Sequence, residues 1–143
     1  MATSLEDLVG HLERLGRRYE RLESDTLLIA FGPGQPPAAL RVAPPVAVLQ
    51  VEIGPCPSGD DAAPFFRRLL ELNASDLLHA AYAIENSPEG GRVVLTSALE
   101  LSHLDSNELE AVLADLDVAL VEHVPTLRKL ASAPTVAPKE PQG

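Results

Sequence analysis

"LLELNASDLLHAAYAIENSPEGGRVVLTSALEL", residues 69–101, decides the fold. A helical apolar run stops at Asn73, a strand-like run follows, Gly90-Gly91 punctuates it, and a second strand comes after. In residues 80–85, Ala80, Tyr82 and Ile84 alternate against Ala81, Ala83 and Glu85. In residues 92–101, Leu95, Leu99 and Leu101 alternate against Thr96, Ala98 and Glu100, the period of a half-buried strand. The link Asn86–Gly91 supplies a proline and the positive-φ glycine of a hairpin loop of about four to six residues. The segment reads as a helix feeding a hairpin, and it contains no catalytic constellation.

Upstream, Asp60 or Asp61 can cap that helix and Pro64 suits its first turn. Phe65, Phe66, Leu69, Leu70 and Leu72 cover a wide part of its circumference, which requires partners on two sides. It is either sandwiched inside the domain or packed on the sheet and on another copy of the chain. Downstream, Asp105 and Glu108 form a capping box, and Leu104 can staple onto Leu109. Leu109, Val112, Leu113, Leu116, Leu120 and Val124 make the buried stripe of the last helix, which Pro125 ends or kinks.

Before these elements, Leu5, Leu8, Leu12, Leu15, Tyr19 and Leu22 recur at steps of three and four, predicting one helix over residues 4–22 with a Thr3/Glu6 capping box. Arg14, Arg17, Arg18 and Arg21, interleaved with Glu13, Glu20 and Glu23, then form its solvated face. Three short strands follow: Thr26–Phe31, Ala38–Val42 and Val46–Ile53, separated by Gly- and Pro-rich links. The predicted order is α-β-β-β-α-β-β-α: an α+β domain over residues 1–131, with an antiparallel sheet and helices mainly on one face. Residues 132–143, rich in proline and poor in apolar side chains, predict a disordered tail.

Composition narrows the function classes. The 143 residues carry a net charge of −10, which opposes nucleic-acid binding. No window approaches the roughly 18 to 20 apolar residues of a membrane span, and the start, MATSLEDLVGHLERL, with early acids and no unbroken apolar stretch, is not expected to act as a signal peptide. The single cysteine, Cys56, cannot form an internal disulfide, so a cytoplasmic setting is expected. His11, His79, His103 and His123 are dispersed without metal-ligand spacing, and Glu122-His123 reads as a surface pair. No cofactor and no catalytic residue is expected, although a ligand-binding domain or small enzyme built from His79, Tyr82 and Asp60 is the rival reading.

"LLELN" at 69–73, the hairpin into "VVLTSALEL", and Leu104-Asp105 with Glu108-Leu109 resemble the class I type III secretion chaperones (Tir-chaperone or CesT-like) and their YbjN-like relatives. The resemblance implies a homodimeric, non-enzymatic protein that holds an extended segment of a partner polypeptide. The dimer would form through the second helix and adjoining strand, at Phe65, Phe66, Leu69, Leu70, Leu72 and Tyr82. YbjN-like relatives imply instead a regulatory or adaptor module outside secretion. Alternation in the first strands puts Leu27, Ile29, Phe31, Leu40 and Val42 where a partner segment could lie, or else in the core.

Overall fold

A computed structural model describes residues 3–131; the expected tail, 132–143, lies outside the described residues. Helix α1 (Leu5–Arg14) is followed by strands β1 (Tyr19–Glu23), β2 (Thr26–Ile29), β3 (Ala38–Ala43) and β4 (Val46–Pro55). A single 3-10 turn leads into α2 (Ala62–Ser75), then β5 (Ala81–Ser87), β6 (Gly90–Glu100) and α3 (Ser106–Val118). A π-helical turn, Ala119–His123, joins α3 to α4 (Val124–Ala131). The six strands form one antiparallel sheet in the order β1-β2-β3-β4-β6-β5.

The predicted helix over residues 4–22 is half helix and half strand. Gly16 takes a φ of +72°. Its N–H bonds the Glu13 carbonyl at 3.1 Å and the Arg17 N–H bonds the Leu12 carbonyl at 2.9 Å, the paired bonds of a Schellman stop. Tyr19 to Glu23 then turns back to pair with β2. The helix also starts one residue later than expected: Ser4 and Asp7 make the capping box, while the Thr3 N–H bonds the Leu101 carbonyl. The arginines therefore do not share a helix face. Arg17 pairs with Asp117 at 2.5 Å and lies over the Phe31 ring, and Arg21 on β1 reaches Glu6.

Register separates the two sheet faces. Leu27, Leu40 and Leu49 lie on one row, Val51, Leu95 and Tyr82 on another, and all join the core beneath the helices. Their sequence neighbours Leu28, Ala39, Val48, Val94, Ala81 and Ala83 point the other way and lie outside that core cluster. Helix α3 supplies Leu109, Val112, Leu113 and Leu116 to the core, all buried as its pattern predicts. The Asp105/Glu108 capping box forms as expected.

Two further details differ from the sequence reading. The β5–β6 hairpin is tighter, with only Pro88-Glu89 between the paired Ser87 and Gly90. Gly91 is required for space rather than for φ, since a Cβ there would lie 2.8 Å from the Ile84 side chain. Pro125 kinks the last helix without ending it. Its missing N–H leaves the preceding turn open, and the Val124 N–H reaches back five residues to Ala119.

Candidate protein-docking site

Helix α2 lies against β5 and α4, with Phe65, Leu69 and Leu72 buried in the core. Asn73 does not close the helix; it lies inside it and turns its side-chain amide to β5. Its Oδ1 accepts from the Tyr82 N–H at 2.7 Å and its Nδ2 donates to the Tyr82 carbonyl at 3.2 Å. One side chain thus stands in for one rung of a missing strand. Strand β5 is the sheet edge, and alternation turns the backbone groups of Ile84 and Asn86 outward with no neighbouring strand. Beside this edge stand Leu70, 69% exposed, and Ile84, 49% exposed, with Phe66 half-buried between α2 and solvent. An apolar ledge next to open backbone is suited to a flat protein partner.

The side chain of Tyr82 leaves this ledge and enters the core. Its hydroxyl is 3.1 Å from His123 Nδ1, and His123 Nε2 is 3.1 Å from Asp76 Oδ2. Burial raises the Tyr82 hydroxyl well above its ordinary range, so it remains a donor, and the ring proton then belongs on Nε2 facing Asp76. Hydrogen bonds from the Ser75 hydroxyl, then from His123, hold the Asp76 carboxyl below its ordinary value. The surface pair expected at Glu122-His123 is therefore only half right, because His123 is buried. The π turn rotates it inward, a placement the sequence signals only through Pro125. With Tyr82 and His123 both buried and a hollow of only about 40 Å³ beside His123, the trio clamps β5, the C-terminal end of α2 and the π turn together.

The other expected site residues are dispersed. Leu27, Ile29 and Leu40 are fully buried core, whereas Phe31 and Val42 are half-buried at its margin. Phe31 lines a hollow of about 400 Å³ with Gly16, Arg17 and Pro33, near the β1 edge of the sheet. The rival trio does not converge: Asp60 and His79 are exposed near opposite ends of α2, and the Tyr82 hydroxyl is committed to His123. Cys56 lies in an apolar hollow with Phe65, Val93 and Leu127, where burial pushes its thiol up against a smaller lowering by Arg92. Among the described residues no three His, Cys, Asp or Glu side chains gather as a metal site. Among them, too, no helix is long and apolar enough to cross a membrane.

The family model CesT_Tir_1 matches residues 1–133. The chain belongs to the CesT_Tir_1 family. Solved structures agree on the fold of this CesT_Tir_1 chain. In the heterodimeric complex ExoU-SpcU from the type III secretion system of Pseudomonas aeruginosa, one chain superposes with a TM-score of 0.61 at 21% identity, covering 87% of this chain and 98% of that one. YbjN, a putative transcription regulator from E. coli, gives 0.65 at 15% identity over 93% and 96% of the two chains. The structure of the Yersinia pestis type III secretion chaperone SycH with a fragment of YscM2 gives 0.56 at 17% identity over 84% and 95%. No curated protein matches the sequence.

Proposed function

We propose that the chain is a non-enzymatic, homodimeric protein-binding module of the chaperone type, which holds an extended segment of a partner polypeptide. Family membership and the chaperone–partner complexes among its structural neighbours support a protein-binding role. The observation that carries the dimer is the ledge of Phe66, Leu70 and Ile84 beside the unpaired edge of β5. Phe65, Leu69, Leu72 and Tyr82 support it from beneath. A two-fold pairing brings the same ledge from each copy together and covers apolar surface that a lone subunit leaves wet. The partner segment belongs at the opposite edge of the sheet, where β1 is open and the Phe31 hollow can take one side chain of an added strand, while Val42 lies at the far end of the β2–β3 pair, beside Asp25. Leu27, Ile29 and Leu40 shape this region from the core.

The likeness to YbjN favours a second reading, in which the same surfaces serve an intracellular regulatory adaptor unconnected with secretion. Light scattering at micromolar concentration is expected to give twice the 15.2 kDa chain mass. Leu70→Glu, which changes an exposed side chain, is expected to give a folded monomer of unchanged circular dichroism. A monomeric native protein overturns the dimer. In parallel, affinity capture followed by mass spectrometry should recover one dominant polypeptide, lost with Phe31→Ser; whether that polypeptide is a secreted effector or a regulator separates the two readings.

A further inference from the structure

A second exposed apolar surface lies on the α2–β5 loop and the outer side of α3. A single carboxylate oxygen, Asp115 Oδ2, accepts from three successive backbone N–H groups: Leu78 at 2.9 Å, His79 at 2.6 Å and Ala80 at 3.1 Å. This ties the α2–β5 loop to α3 and fixes Leu78 in place while leaving it 86% exposed. Val118, one turn beyond Asp115, is 39% exposed, and Val121, in the π turn, is 64% exposed. Ala114 is exposed on the same outer side of the helix. A solvated leucine whose backbone is already held has lost part of the freedom that binding would otherwise cost.

Charge identifies the occupant. Exposed Glu110 and Glu122 flank these residues on α3 and the π turn, while Asp115 is engaged by three N–H groups, Asp117 by Arg17, Asp76 by Ser75 and His123, and the nearby Arg68 by Glu71. A second copy would bring like charges together across the contact. We infer that the Leu78–Val118–Val121 surface docks a basic amphipathic helix of a partner protein. Its apolar stripe packs on the three side chains, and its flanking Lys and Arg face the acidic rim. This contact is separate from the dimer ledge and from strand addition at β1.

The test uses a synthetic 18-residue Leu/Lys amphipathic helix and its Leu/Glu counterpart, titrated into the full-length protein and followed by methyl NMR and fluorescence anisotropy. The basic helix is expected to shift the methyl signals of Leu78, Val118 and Val121. Its affinity should fall at least tenfold in Leu78→Ser and Val121→Ser, weaken with added salt, and stay unchanged in Ala98→Ser, on the opposite face of the sheet. The acidic helix should not bind. Shifts centred elsewhere, equal binding of both helices, or unchanged affinity in the two variants overturns the proposal. So does a loss of oligomer mass in Leu78→Ser, which would give the surface to a second copy. Failure of the dimer reading is scored separately, by the mass of the native protein.

Discussion

Among the described residues, Asp76 is one of two carboxylates that local hydrogen bonds hold below their ordinary value near 3.8; the other is Asp7, bonded by Ser4 at the start of α1. A depressed folded-state value means that each group stabilises the fold above its unfolded pKa. That contribution is lost as pH falls through the lower folded value. Denaturation midpoints are therefore expected to decline below about pH 4, where unfolded carboxylates begin to take up protons. Asp76→Asn should flatten part of this decline, and Asp7→Asn a further part. An unchanged acid limb in Asp76→Asn would mean that the Tyr82–His123–Asp76 clamp is indifferent to the carboxylate charge. None of this clamp was legible in the sequence. His123 follows Glu122 and looks solvated, and only the wider turn enforced ahead of Pro125 points it inward.

Elements were legible in proportion to the local signals at their ends. Helix α3 carries its start in Asp105 and Glu108 and its buried stripe in an unbroken three-four spacing, and both are found. Asp105→Ala removes the acceptor for the Glu108 N–H and should cost about 1 kcal/mol, a melting shift of roughly 2–4 °C for a chain of this size. A shift below one degree would show that water replaces the cap. The first helix was misread because Tyr19 and Leu22 continue the spacing of Leu5, Leu8, Leu12 and Leu15 by coincidence. Gly16 was the contrary signal. A glycine just past a helical run supplies the left-handed residue that ends it, and here it outweighs the periodicity. Strand β1 is short, with its pairing interrupted by a register shift between Arg21 and Glu23, so its own alternation is too brief to declare itself.

For the whole molecule, alternation showed that the sheet had two unlike faces but could not say which apolar rows the helices would take. Leu27, Ile29 and Leu40 went to the core because α1 and α3 lie over their side of the sheet. Leu78 was equally opaque: beside Leu77 it looks like half of a buried pair, and only the Asp115 tether separates the two. The one-sided arrangement has a direct test. Ala98, exposed on the uncovered face, should accept Ala98→Lys with a change within about 0.5 kcal/mol. Leu49, fully buried on the covered face, should lose about 2–5 kcal/mol as Leu49→Ala. A large loss at Ala98 would mean that this face is covered in solution.

The amide of Asn73 has a consequence for how the sheet exchanges protons with water. Although β5 is an outermost strand, the Tyr82 N–H is held by a helix side chain and shielded from solvent deuterium much as an interior amide would be. The outward N–H groups of Ile84 and Asn86 have no such guard, and in the lone subunit they exchange as freely as those of a loop. Protection along β5 is therefore graded, slow at one end and fast at the other. If a second copy covers the ledge as proposed, that gradient should disappear, and the difference between the two ends of one strand would become a timer of assembly.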